Sequence, residues 1–177
     1  NGIWLSGHQL CREGHFYNIW SEYACIRPDR IDPTLGTEED FRRLVQNAHS
    51  RGIRVFLDVI THGVMKDSPL VQEHPDWFVG ESWGMKDYDW YGNHPDLDVW
   101  WINTWLWYVR EFGVDGFRLD VAHYRNDLWA QIRKGAADFG KKILIIAESG
   151  PAIRGVTDIL QHGEVISHNY GLNRSHR

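Results

Sequence analysis

A parallel α/β fold is predicted by three observations in this 177-residue chain. Short apolar, β-rich runs alternate with amphipathic helical patterns. Each clear helical pattern closes on a glycine just before the next run, and the runs are apolar enough to be strands covered on both faces. Strands alternating with helices in this way imply right-handed crossovers within a parallel sheet.

Residues 3–5 open as a strand. Residues 37–51 carry a capped helix: Thr37 is the N-cap, Glu38, Glu39 and Asp40 put negative charge in the first turn, and Phe41, Leu44, Val45 and Ala48 share one face. Gly52 ends that helix, and residues 53–59 form the next strand. The stretch 63–98 then breaks the alternation. It is rich in Asp, Gly, Pro, Trp and Tyr, and is expected to be a long loop excursion of the kind that is usually functional. Ile102, Trp105, Leu106 and Val109 mark the following helix, Gly113 its end, and residues 116–121 a strand. Leu128, Ile132, Ala136 and Phe139 mark another helix, Gly140 its end, and 143–147 a strand, after which 155–160 and 164–167 suggest a shorter helix–strand pair. A barrel and a doubly wound open sheet both fit this order. No GxGxxG or GxxxxGK follows any strand, which removes the commonest nucleotide-binding open sheets and favours the barrel.

Composition narrows the function. At 42% hydrophobic and 24% charged residues, the chain is long enough to bury a core, as one globular unit or part of one. A formal net charge of −5 and the lack of any Lys/Arg run leave no basic field for a phosphate backbone, so no nucleic-acid partner is expected. No apolar run reaches the roughly 18 to 20 residues of a membrane span, and WWINTWLWYV is interrupted by Asn103 and Thr104, so no membrane partner is expected. Two cysteines, Cys11 and Cys25, establish neither a disulfide framework nor a compartment. Ten tryptophans suit both core packing and the apolar faces of sugar rings, with most of them expected in the core. The chain has no initiator Met or signal-peptide pattern, and Ile3, Trp4 and Leu5 begin at once like a strand inside a domain, so a segment of a larger unit is expected.

Three successive strands end in a carboxylate: Asp58 in VFLD, Asp120 in GFRLD and Glu148 in LIIAE. In parallel α/β barrels the C-terminal strand ends build the active-site face, so these acids should converge there. A single acid of this kind often caps the next helix. Three of them, together with Arg118 inside an apolar strand, point to a site. Alternation puts Arg118 and Asp120 on one face of their strand and Phe117, Leu119 and Val121 on the other. Arg118 is expected to keep Asp120 ionised, as a nucleophile requires. Ile145, Ile146 and Ala147 suggest apolar surroundings that would raise Glu148, as a general acid requires. Two carboxyls with opposed environments suit double-displacement glycoside hydrolysis, in which they stand about 5 to 5.5 Å apart when configuration is retained.

On these motifs the chain resembles the α-amylase superfamily, glycoside hydrolase family 13, over nearly its whole length. GIRVFLDVITH is similar to the first family motif, GFRLDVAHY to the second and IIAES to the third. NHPDLD at 93–98 resembles the additional motif in the loop domain after the third barrel strand, and HFYNIWSEY and IDPTLGTEEDF resemble the segment around the second strand and its helix. The resemblance implies an incomplete (β/α)8 TIM barrel over 1–177, covering about strands 2 to 6, with 63–98 as a short domain-B-like insertion. It implies Asp120 as nucleophile, Glu148 as acid/base and Arg118 as the group that orients and charges the nucleophile. Asp58, His62 and Tyr17 would line the subsite of the reacting sugar, with His123 and Tyr124 on the leaving-group side. As ordinary packing residues, Tyr17 would be a core aromatic and His62 a hydrogen-bonded structural histidine.

The activity implied is retaining cleavage of α-glucosidic bonds in an α-glucan or oligosaccharide. A transglycosylase or glucan-isomerising member would use the same residues; a non-catalytic carbohydrate- or partner-binding module and a metal-dependent barrel hydrolase are the other classes. The last would want a His-x-His pair or similar cluster, and Asp58 with His62 falls short of one. The family pattern has Asn-His, with His five residues after the motif Asp, whereas here Thr61-His62 places His four residues after Asp58. That Asn helps bind a structural calcium in many relatives. Thr61 in its place, and no clear acidic cage in the loop, argue against calcium, so no cofactor is expected. The family's third carboxylate, in a His-Asp pair on the seventh strand, has no counterpart, because no His-Asp dipeptide occurs. The chain alone is therefore expected to be inactive and, with two unpaired parallel edges, poorly stable.

Overall fold

The computed structural model describes residues 1–12, 23–122, 124–148 and 158–161. Strand β1 (Gly2–Leu5) leads into an antiparallel pair, β2 (Gln9–Cys11) and β3 (Cys25–Ile31), followed by α1 (Glu38–His49) and β4 (Arg54–Ile60). The excursion holds β5 (Gly63–Met65), α2 (Pro69–Glu73), β6 (Phe78–Ser82) and β7 (Met85–Tyr88). Then come α3 (Pro95–Trp107), β8 (Gly116–Asp120), α4 (Asn126–Asp138), β9 (Leu144–Glu148) and β10 (Ile159–Gln161). The expected parallel sheet is present, in the order β1-β4-β8-β9-β10, and among the described residues it remains open.

The start of α1 follows its sequence signal. The Thr37 hydroxyl accepts from the Asp40 N–H at 3.2 Å while the Asp40 carboxylate accepts from the Thr37 N–H at 2.9 Å, closing a capping box. Phe41, Val45 and Ala48 are buried against the sheet; Leu44, read as part of that face, lies at its margin and is 40% exposed. Three segments differ from expectation. The excursion is not irregular, because β5, β7 and β6 form an antiparallel sheet with β7 in the middle. NHPDLD is not wholly loop: Pro95 opens α3, where its missing N–H costs nothing, so 95–98 form the first helical turn. Finally, the strand beside β9 is Ile159–Gln161, whose first two residues fall in the stretch 155–160 expected to be helix, while 164–167 lies outside the described residues. The chain is pinned there by Asp158, whose N–H donates to the Ile145 carbonyl at 2.9 Å, whose carboxylate accepts from the Ile145 N–H at 2.8 Å, and which pairs with Arg133 at 2.6 Å.

The outer face of the sheet packs on an aromatic core. Trp105 meets Phe117 of β8 at 5.5 Å and Trp101 at 5.3 Å. Trp101 in turn meets Tyr88 and Trp90 of the excursion at 5.5 and 5.1 Å. Trp77, Trp90, Trp101, Trp105 and Trp129 are all buried, as core tryptophans should be. Among the described residues no helix is long and apolar enough to cross a membrane.

Asp115 and Gly116 fix where β8 begins. The Asp115 carboxylate accepts from the Val55 N–H at 2.8 Å and lies 2.7 Å from His49 Nε2 and 3.2 Å from Lys141 Nζ, tying together β4, α1 and the chain leading into β9. Gly116 has φ +154°, and a Cβ there would fall 1.9 Å from the Leu144 carbonyl oxygen. That oxygen is backbone and cannot rotate away. Gly116→Ala should therefore cost about 1–3 kcal/mol of stability, read as a lowered urea midpoint; an unchanged midpoint would show that the β8–β9 spacing is not tight.

Candidate active site

Strand register assembles the site. Asp58 of β4 pairs with Arg118 of β8, Ile60 with Asp120, and Leu119 with Ala147 of β9, a register that carries Asp120 alongside Glu148. Side chains alternate, so Asp58, Arg118, Asp120 and Glu148 all face the inner side of the sheet. Arg118 lies beneath them with no exposed surface. Its Nη1 donates to Asp58 Oδ1 at 2.9 Å and to Asp120 Oδ1 at 2.6 Å, and its Nη2 lies 2.7 Å from Glu148 Oε1. The planar guanidinium can engage several carboxylates at once, which an ammonium cannot do with fixed geometry. The indole of Trp4, from β1, lies 4.8 Å from the guanidinium carbon and supplies a π face.

Residues around this group fix the acids in place. Asp58 Oδ2 accepts from Ser6 Oγ and from the Tyr23 hydroxyl, each at 3.2 Å, and its carbonyl accepts from Gln9 Nε2 at 2.9 Å. Glu148 Oε2 accepts from the Val121 N–H at 3.1 Å. Val121 has φ +51°, an outlying conformation for a β-branched residue that costs on the order of 1–3 kcal/mol. The buried Thr61 hydroxyl holds this turn, contacting the carbonyls of Asp120 and Val121 at 2.5 and 2.8 Å.

The electrostatics differ from the sequence expectation. Burial pushes Asp120 upward, to about 7, and the Asp58 and Glu148 carboxylates add to the effect, while Arg118 opposes it without prevailing. Arg118 was expected to hold Asp120 low, but it is divided among three acids. Burial likewise raises Asp58 against the pull of Arg118 and Tyr23. Glu148 was expected among apolar neighbours and instead meets a guanidinium and a backbone N–H, because Ile145 and Ala147 point to the other face.

A second group forms where β4 runs into the excursion. His62 is buried, which lowers its pKa, and its Nδ1 lies 3.5 Å from Asp87 Oδ1 of β7. Tyr124 is raised by burial first, with the charges of Asp87 and Tyr91 adding to the effect. Of the site residues expected from sequence, Asp58, Arg118, Asp120 and Glu148 thus come together and His62 stands beside Asp87, whose charge also acts on Tyr124, while Tyr17 and His123 lie outside the described residues. Tyr23, Ser6, Trp4 and Asp87 were not foreseen. Tyr23 ends the HFYNIWSEY segment, and Trp4 alternates inward on β1, the only signals that could have flagged them. Among the described residues no cluster of His, Cys, Asp and Glu is arranged to hold a metal ion.

Fold and site together define an open parallel α/β barrel sheet with carboxylates at its C-terminal strand ends. The family model for the α-amylase catalytic domain matches residues 9–96. The intracellular maltogenic amylase of Bacillus subtilis is 28% identical over 181 residues, covering 88% of this chain and 30% of that protein. The α-1,4-glucan:maltose-1-phosphate maltosyltransferase of Myxococcus xanthus is 30% identical over 137 residues, covering 67% of this chain and 20% of that protein. The crystal structure of a maltogenic α-amylase from Thermotoga neapolitana superposes with a TM-score of 0.75 at 29% identity, over 90% of this chain and 40% of that one. The chain belongs to the α-amylase superfamily of glycoside hydrolases and spans well under half the length of these relatives.

Proposed function

We propose that this chain is part of the catalytic barrel of an enzyme that cleaves α-glucosidic bonds with retention of configuration. The observation that carries the proposal is the gathering of Asp120 and Glu148 around one buried guanidinium at the C-terminal strand ends. Asp120 attacks the anomeric carbon and forms a covalent glycosyl intermediate; Glu148 protonates the leaving oxygen and then deprotonates the incoming water or sugar hydroxyl. Arg118 orients Asp120, and Asp58, held by Ser6 and Tyr23, binds hydroxyls of the reacting sugar. The chemistry calls on no metal or other cofactor. On this proposal a third carboxylate comes from outside the chain, so these 177 residues alone do not turn over.

Transfer to a second sugar uses the same intermediate, and the similarity to a maltosyltransferase supports keeping it beside hydrolysis. The test is to assay the intact protein on α-glucans, disaccharides and acceptor sugars. Asp120→Asn and Glu148→Gln should each lower turnover by about 10³-fold or more. Wild-type rates in both variants would rule the mechanism out.

A further inference from the structure

The hairpin joining β6 to β7 carries a residue that its own fold does not explain. Ser82 pairs with Met85, so Trp83 and Gly84 form a two-residue loop, with φ +49° and +78°. Two left-handed residues in succession favour Asn-Gly or Gly-Gly, and a bulky aromatic in the first position is disfavoured. Packing does not compensate, since Trp83 is 75% exposed whereas Trp77, Tyr88 and Trp90 of the same excursion are buried. What Trp83 does touch is the site: its ring stands edge-on to His62, centroids 4.9 Å apart and planes at 70°.

The hairpin is held rigidly in that position. The Tyr88 N–H donates to the His62 carbonyl at 2.8 Å, β7 pairs with β5 directly after His62, the Ser82 hydroxyl bonds to Asp87, and Lys86 pairs with Glu81 at 2.9 Å. A broad apolar ring is thus fixed in water beside His62, four residues past Asp58 and just beyond the end of β4. Indole faces stack well on the apolar faces of pyranose rings.

We propose that Trp83 is a specificity residue that stacks on the glucosyl unit adjacent to the one bound at Asp58 and His62, so that the site favours substrates at least one sugar longer than the reacting unit. This rests on the proposed α-glucosidic activity. In the intact protein, Trp83→Asn suits the left-handed turn and should leave the melting temperature unchanged or raised. It should lower kcat/KM for maltotetraose about tenfold while leaving p-nitrophenyl α-glucoside within about twofold; Trp83→Phe should recover most of the loss. In the Glu148→Gln background, titration with maltotetraose should quench tryptophan fluorescence, and much less so once Trp83 is replaced. Equal losses on both substrates, or none on either, would overturn the role of Trp83 while leaving the enzymatic proposal intact. No binding or turnover of any α-glucan by the wild type would overturn both.

Discussion

Replacing Arg118 with methionine should destabilise the intact protein by about 3–5 kcal/mol at pH 7. Arg118 has no exposed surface and is shared by Asp58, Asp120 and Glu148, whose side chains are 3%, 17% and 22% exposed. Methionine fills much of the arginine volume, so the loss reflects charge more than a cavity. Three carboxylates would be left facing one another with no cation among them, and burying a charge without its partner costs far more than the pair contributes when intact. The acids would respond by taking up protons, so the deficit should shrink between pH 7 and pH 5. Arg118→Lys should recover only part of it, because one ammonium cannot serve three acids in fixed directions. Adding Asp58→Asn and Asp120→Asn to Arg118→Met should restore stability by removing the uncompensated charges, a non-additivity expected of contacting groups. Urea unfolding at the two pH values measures all of this. A methionine variant within about 1 kcal/mol of wild type at pH 7 would mean that the acids are solvated rather than held by Arg118.

The sequence exposed those parts of the fold that local chemistry dictates. Thr37 and Asp40 cap α1 through contacts three residues apart, and Gly113, at φ +74°, closes the helical segment before β8 as a left-handed residue should. The three strand-end acids were visible because parallel strands send their C-terminal ends to one face. What the sequence hid was set by pairing between strands. Nothing local distinguishes the three-residue strand β10 from a helix turn; Asp158 and its bonds to Ile145 decide it. Nor does LIIAE reveal that Glu148 faces Arg118, since the residues before it in sequence are not its neighbours in space. The expectation that Arg118 holds Asp120 low failed for the same reason: Arg118 lies two residues from Asp120, but the acids competing for it come from β4 and β9. Tyr23 and Trp4 likewise enter the site from strands or turns that register, not periodicity, brings alongside.

Asp120→Asn should make the protein more stable at pH 7.5 even as it removes activity. Burial first, then the Asp58 and Glu148 charges, raise Asp120 from 3.8 to about 7 in the folded state. Between those values the folded protein holds a proton that the unfolded chain has released, so the favourable contribution is full below about pH 4 and is lost as pH rises toward 7. At about 1.4 kcal/mol per unit the upper limit is near 4 kcal/mol, and because the acids around Arg118 titrate as a group rather than singly, about 1–3 kcal/mol is expected for Asp120. Asparagine carries no charge at any pH, so the variant escapes this loss and its advantage should grow from near zero at pH 4.5 to its full size by pH 7.5. Asp115 and Asp158 pull the other way. Burial alone would raise each, but for Asp115 the Val55 N–H, His49 and Lys141, and for Asp158 Arg133 and the Ile145 N–H, outweigh it, so their stability is present above about pH 4 and lost below. They act equally in both proteins and cancel in the difference between the two urea midpoints. A variant less stable than wild type at pH 7.5 would show that Arg118 dominates and that Asp120 is ionised at little cost to the fold.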